Sequence, residues 1–251
     1  MAREPGPPAL VTDEGVALHE GLPHGSKVLY GNVTWDGALA LAKFFAWREA
    51  AGGPSVRGRR ALELGAGTGV VGLTLGRLGA RVTLTDGEPE LLELMERNIR
   101  ANGLEGRADA RILRWEAPDP PVPDLELLVA ADVLYEGDGA AFAEALARLL
   151  ASAPQAVAYV ANHHNSERCA ATLGCLRALW ARGLRVERLE DEEGRAVGTL
   201  GGCRGGAEVF GGSRFAALEP GAGLGAVQHA RFGREAAGVM QRIQVFRVSA
   251  G

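Results

Sequence analysis

From Arg60 onward the chain alternates short apolar runs with helix-length amphipathic segments, and this alternation limits the fold more than any other feature. A buried parallel strand reads as a short apolar run, and successive parallel strands need a crossover long enough to hold a helix. Residues 61–64, 82–85, 110–113, 127–131 and 156–161 are the expected strands, with helices expected over 70–78, 88–102, 139–150 and 167–182. The predicted class is α/β, a doubly wound sheet. Ahead of it, Leu39, Ala42, Phe44, Phe45 and Trp47 approximate one helical face, closed by Ala51-Gly52-Gly53-Pro54. Behind it, residues 184–189 and 240–248 alternate apolar with polar and have no crossover helix between them, so they suit a C-terminal antiparallel hairpin.

Two stretches stand outside the alternation. Residues 1–30 are rich in Pro and Gly without a sustained period and are expected to be an arm lying on the domain formed by residues 31–251. Residues 194–225 are Gly-rich and longer than most loops inside compact domains, so they are expected to be a mobile insertion.

Composition removes several classes of function. A chain of 251 residues, 47% of them apolar, with mean hydropathy near zero, is neither disordered nor fibrous. The 27 Lys and Arg against 31 Asp and Glu leave a charge of −4, and no segment gathers the basic residues into a patch for nucleic acid. Cys169, Cys175 and Cys203 have no metal spacing. No apolar run approaches the roughly 20 residues that span a bilayer, and the first residues lack the order of a signal peptide. The expectation is a cytoplasmic or nuclear monomer that binds neither nucleic acid nor membrane.

The chemistry concentrates on Glu63-Leu64-Gly65-Ala66-Gly67-Thr68-Gly69. Glycines on a strand-to-helix turn let the backbone approach a ligand, and the helix N-terminus faces it. A dinucleotide fingerprint needs G-x-G-x-x-G/A, yet the third position after Gly67 is Val70. Glu63, two residues before the first glycine, repels a pyrophosphate and attracts a cation. Together these favour S-adenosylmethionine over NAD. Asp86 ends the second strand, where a carboxylate accepts ribose hydroxyls; it also reads as the cap of the helix beginning at Glu88, and the two roles are compatible. Asn162-His163-His164-Asn165 invites a metal reading, but adjacent histidines on an extended segment point apart and no carboxylate lies at ligand spacing, so no metal is expected.

These motifs carry a resemblance. The glycine turn, Asp86, Arg97-Asn98-Ile99 through Asn102, Leu113-Arg114-Trp115, Ala130-Ala131-Asp132-Val133-Leu134-Tyr135 and the upstream Val33-Thr34-Trp35-Asp36-Gly37-Ala38-Leu39 resemble the seven-β-strand protein lysine methyltransferases grouped as methyltransferase family 16. The likeness runs from about Gly31 to Trp180, with the closing strand at 240–248, and its details look most like the elongation factor 2 lysine methyltransferase branch. It implies a seven-stranded Rossmann-like methyltransferase sheet and transfer of a methyl group to a lysine of a protein substrate, such as a translation elongation factor. It also implies that Trp35, Gly65, Ala66, Gly67, Asp86, Trp115 and Ala131 contact the cofactor, joining Glu63. Trp35 reads equally as an anchor for the leading helix, and Trp115 as an adenine-stacking ring or a core filler. Asp132 and Tyr135 are the implied catalytic pair, the carboxylate orienting the amine or its departing proton and the ring packing on the cationic head. Their structural alternatives are a turn residue and a half-buried aromatic. Arginine or a small metabolite as acceptor, and a non-catalytic binder on the same fold, are the competing functions.

Overall fold

A computed structural model of the chain describes residues 8–21, 30–116, 122–135, 137, 139–163, 169–189 and 243–251. Two short strands come first, β1 (Leu10–Val11) and β2 (Ala17–Leu18), paired antiparallel. The helix α1 (Asp36–Ala50) leads into β3 (Arg60–Leu64), α2 (Val70–Arg77), β4 (Arg81–Asp86), α3 (Glu90–Ala101) and β5 (Ala108–Ile112). The second half holds β6 (Leu127–Ala131), α4 (Ala140–Ser152), β7 (Val157–His163), α5 (Cys169–Ala181), β8 (Arg185–Arg188) and β9 (Ile243–Ser249).

Seven strands form one sheet in the order β5-β4-β3-β6-β7-β9-β8. The pairs β3–β4, β4–β5, β3–β6 and β6–β7 are parallel, whereas β9 runs antiparallel between β7 and β8. The expected closing hairpin is therefore present, with its second strand inserted beside β7. Period-2 side-chain alternation divides the core between the two faces of the sheet. Ala61, Leu127, Val129 and Tyr159 pack with α1 and α2 residues such as Phe45, Val70 and Leu73; Leu62, Leu64, Leu128, Ala130 and Val160 pack with Phe142, Leu146 and Leu179 of α4 and α5.

Boundaries differ from the sequence reading where edges and prolines act. The strand expected at 110–113 occupies Ala108–Ile112, because an edge strand buries few side chains and so shows no clean apolar run. The helix expected from residue 88 starts at Glu90 with Pro89 at its N-cap, a position where the missing N–H costs nothing. Residues 194–225, read as an insertion, lie outside the described residues.

Residues 8–21 supply core side chains, with Leu10, Val16 and Leu18 buried. Two asparagines one helical turn apart, Asn98 on α3 and Asn102 at its C-cap, hold them. Asn102 accepts the Ala17 N–H (2.9 Å) and donates to the Ala17 carbonyl (2.7 Å); Asn98 accepts the His19 N–H (2.7 Å) and donates to the His19 carbonyl (3.1 Å). Residues four apart on a helix share a face, and residues two apart on an extended chain share an edge. The two amides thus act as a short artificial strand pairing with residues 17–19.

Candidate active site

The strand order reverses between β3 and β6, and in open α/β sheets ligands bind outside the carboxyl ends of the strands at such a point. A cleft of about 810 Å³ lies there. The ends of β3, β4 and β6, the turn after β5 and the residues before α1 all contribute to it. Of the residues singled out above, Trp35, Gly65, Ala66, Gly67, Asp86, Trp115, Ala131, Asp132 and Tyr135 line this cleft. Glu63 does not.

The turn after β3 works by backbone proximity. Gly67 has φ 54°, and a Cβ there would sit 2.7 Å from the Gly31 carbonyl oxygen, so any side chain would push the residues before α1 off the turn. Gly72, within α2, was not singled out from the sequence, yet a Cβ on it would meet Leu84 at 2.2 Å and the Glu63 carboxylate at 2.6 Å. Gly72 thereby allows the close helix-to-strand approach that a dinucleotide fingerprint assigns to its third small residue. The buried Thr34 and Thr68 hydroxyls, 3.0 Å apart, tie the residues before α1 to the glycine turn.

Glu63 departs from the expectation that it faces the ligand. Its side chain alternates to the α2 side of the sheet, is 2% exposed, and accepts the Gly72 N–H at 2.8 Å. Burial, opposed by N–H bonds from Gly72 and Val71 and assisted by the charge of Asp86, lifts its carboxyl to about 8. The residue satisfies the first turn of α2, where orphan N–H groups need an acceptor. The physical reason is the strand's two-residue period: a residue in β3 at this position points to a helix face, not to the strand's carboxyl end.

Asp86 lines the cleft and also holds two backbone N–H groups. One carboxylate oxygen accepts the Gly67 N–H (3.0 Å) and the other the Glu88 N–H (3.2 Å), so it braces the glycine turn and shapes the turn into α3 without capping that helix. Burial pushes its carboxyl above the usual range against the pull of these N–H groups. Trp115 is half-buried, set edge-on to Phe142 at 5.2 Å, while its carbonyl accepts a 2.6 Å bond from Arg148. It therefore has a packed edge and also borders the cleft. Trp35 likewise shows both features, because it lines the cleft and its indole N–H donates to the Tyr30 carbonyl at 2.8 Å.

Asp132 follows β6 with φ 55°, a left-handed backbone that Asp tolerates better than most residues. Its carboxylate is buried, 7% exposed, and accepts the Gly37 N–H at 2.7 Å in the first turn of α1. A Cβ at Gly37 would lie 2.6 Å from that same oxygen. Asn162, part of the histidine-containing stretch weighed for metal, is fully buried; it accepts the Leu134 N–H (3.2 Å) and donates to the Leu134 carbonyl (3.1 Å) and to Thr172 (3.0 Å). It fixes the backbone between Asp132 and Tyr135. A polar residue ending an apolar strand was the only hint of this in the sequence. Among the described residues no group of three or more His, Cys, Asp or Glu side chains is placed to hold a metal, and no helix is long and apolar enough to cross a membrane.

Comparison with known proteins finds relatives in sequence and in fold. The chain is 40% identical over 108 residues to Protein N-lysine methyltransferase METTL21A of Danio rerio, covering 41% of this chain and 47% of that protein. It is 35% identical over 113 residues to EEF1A lysine methyltransferase 3 of Mus musculus, covering 44% and 47%. The match thus spans about half the length of these curated relatives. Among solved structures, a TehB-like SAM-dependent methyltransferase from Corynebacterium glutamicum shares the fold at a TM-score of 0.52 and 17% identity, covering 88% of this chain and 90% of that one. The lysine methyltransferase family model matches residues 24–170, more than half of the chain and all the strand ends that build the cleft. By that match the chain belongs to the lysine methyltransferase family.

Proposed function

We propose that the protein transfers a methyl group from S-adenosylmethionine to a lysine side chain of a protein substrate, and that it does so in the cytoplasm or nucleus. The observation that carries this reading is the meeting, in one cleft, of a glycine turn braced by Asp86 with the buried carboxylate of Asp132 at the end of β6. Family membership and the names of METTL21A and EEF1A lysine methyltransferase 3 support a lysine acceptor, with an elongation factor among the substrates to try.

The residues present fit the cofactor. Gly65 and Gly67, where a Cβ would strike Val133 and Gly31, bring bare backbone to the cleft, and the Asp86 carboxylate, a fit partner for ribose hydroxyls, and the Trp115 ring border the same space. The cofactor supplies a methyl group on a sulfonium, a donor already activated for transfer. The protein's task is then to orient and desolvate the acceptor amine, which ordinarily titrates near 10.4 and must present a lone pair. Asp132, held by Gly37, receives the ammonium and its departing proton. Tyr135 stands beside it at the mouth, and the Asn162 amide keeps the two at a fixed spacing.

The test is to incubate cell lysate with methyl-labelled cofactor and either wild-type or Asp132→Asn protein, then hydrolyse and separate the modified amino acids. Label in ε-N-methyllysine that disappears with the variant is the expected result. Label in methylarginine or in small molecules would replace the acceptor, and equal binding of NAD and S-adenosylmethionine by calorimetry would remove the cofactor.

A further inference from the structure

Tyr30 lies at the end of the segment that the sequence reading treated as an arm, and nothing in its surroundings there suggested a role. In the fold it opens a short 3-10 turn, Tyr30–Asn32, and lines the same cleft as Asp132 and Tyr135. Its carbonyl accepts the Trp35 indole N–H, which fixes the backbone that carries the ring. That ring lies 5.3 Å from Tyr135 at 51° and 6.4 Å from Trp35 at 47°, so three tilted aromatics run along one side of the mouth. Tyr30 is 61% exposed and Tyr135 41%. Large aromatic faces left side by side in water at the mouth of a cleft mark a surface that a ligand covers.

The charge of the cleft selects the ligand. Among the described residues, Asp86, Glu88, Glu116 and Asp132 line it against Arg114, so the cleft favours a cation. An aromatic face attracts an ammonium group within about 6 Å of its centroid, and a lysine's four methylenes match the apolar rim while its head reaches inward. We propose that Tyr30 is an acceptor-binding residue, its ring forming with Tyr135 the aromatic wall of a subsite for a cationic side chain on its way to Asp132. This rests on the lysine-directed reading above.

The chain contains three tyrosines, Tyr30, Tyr135 and Tyr159, which makes the test direct. Protein labelled with 3-fluorotyrosine and loaded with S-adenosylhomocysteine is titrated with Nα-acetyl-lysine methylamide, and separately with the neutral norleucine analogue, while fluorine resonances are followed. The Tyr30 and Tyr135 resonances are expected to move saturably with the lysine probe and less than a third as far with norleucine. Tyr159, buried at 8% against Phe45, stays still. No movement of Tyr30, or equal movement with norleucine, overturns the subsite. With the methylated lysate protein as acceptor, Tyr30→Ala should raise KM at least fivefold, with kcat and S-adenosylhomocysteine affinity within twofold, and Tyr30→Phe should keep the wild-type KM. An unchanged KM for Tyr30→Ala overturns the assignment. A wild-type protein that methylates no lysine defeats the activity reading separately, and the fluorine titration still decides whether the wall binds cations.

Discussion

The two ends of the cleft are built in opposite ways. The end assigned to the cofactor centres on backbone from one contiguous unit, β3 to the end of β4, with Asp86 reaching back to the Gly67 N–H across neighbouring strands and Trp35, Trp115 and Ala131 at its borders. The end assigned to the acceptor is made of side chains gathered from Tyr30 to Asn162. Each is held by a different partner: Tyr30 through Trp35, Asp132 through Gly37, and the Leu134 backbone through Asn162. A turn of this kind tolerates little variation, because a Cβ at Gly65 or Gly67 would strike Val133 or Gly31. An assembled wall of side chains changes with each contributor, which suits the part of an enzyme that distinguishes one substrate from another.

The largest expected effect separates the two ends. Asp132→Asn keeps an oxygen that accepts the Gly37 N–H but removes the charge, so turnover should fall about a hundredfold or more, the scale of a positioned proton acceptor, while cofactor affinity changes little. Methylation kinetics beside calorimetry check it, and turnover near wild type would falsify the role. Asp86→Ala should do the reverse, weakening S-adenosylhomocysteine by about 1.5–3 kcal/mol with kcat at saturation reduced less. If calorimetry showed full affinity and only the melting temperature fell, Asp86 would be a brace for Gly67 and Glu88 and nothing more.

A smaller effect tests whether the acceptor end is held from behind. Asn162→Ala strands the buried Leu134 N–H and carbonyl, so denaturant unfolding should show a loss of about 1–3 kcal/mol. Turnover at saturating cofactor should also fall, and unaltered kcat would mean that the Asp132–Tyr135 turn keeps its shape unaided.

An effect on pH dependence alone concerns Glu63. Its carboxyl is lifted to about 8, above the ordinary 4.5, so the folded state holds a proton that the unfolded chain releases. Stability from this group is therefore greatest below about pH 4.5, declines as pH rises, and stops declining above about pH 8. Glu63→Gln cannot titrate, so its stability relative to wild type should improve between pH 6 and pH 8.5. A pH-independent difference in denaturant midpoints would show that Glu63 does not hold its proton in the fold.

Much of the frame was legible in the chain because it depends on local periods. The βα alternation, the glycine turn and the closing hairpin were readable, since apolar period and turn chemistry are properties of neighbouring residues. Asp86 and Trp115 could be located but not given one role, because each uses one edge for structure and borders the cleft with another. Glu63 was assigned to the ligand because spacing along the chain does not say which face of a strand a side chain takes.

What the sequence by itself determined is the order of strands and helices and the position of the glycine turn, because those follow from hydrophobic period and from missing Cβ atoms. Only the tertiary structure decided that Tyr30 joins Tyr135, that Gly37 makes room for Asp132, that Asn98 and Asn102 hold residues 17–19, and that Asn162 holds the Leu134 backbone. The reason is distance along the chain. These partners lie from 28 to 105 residues apart, and no period or turn rule links positions that meet only once the chain has folded.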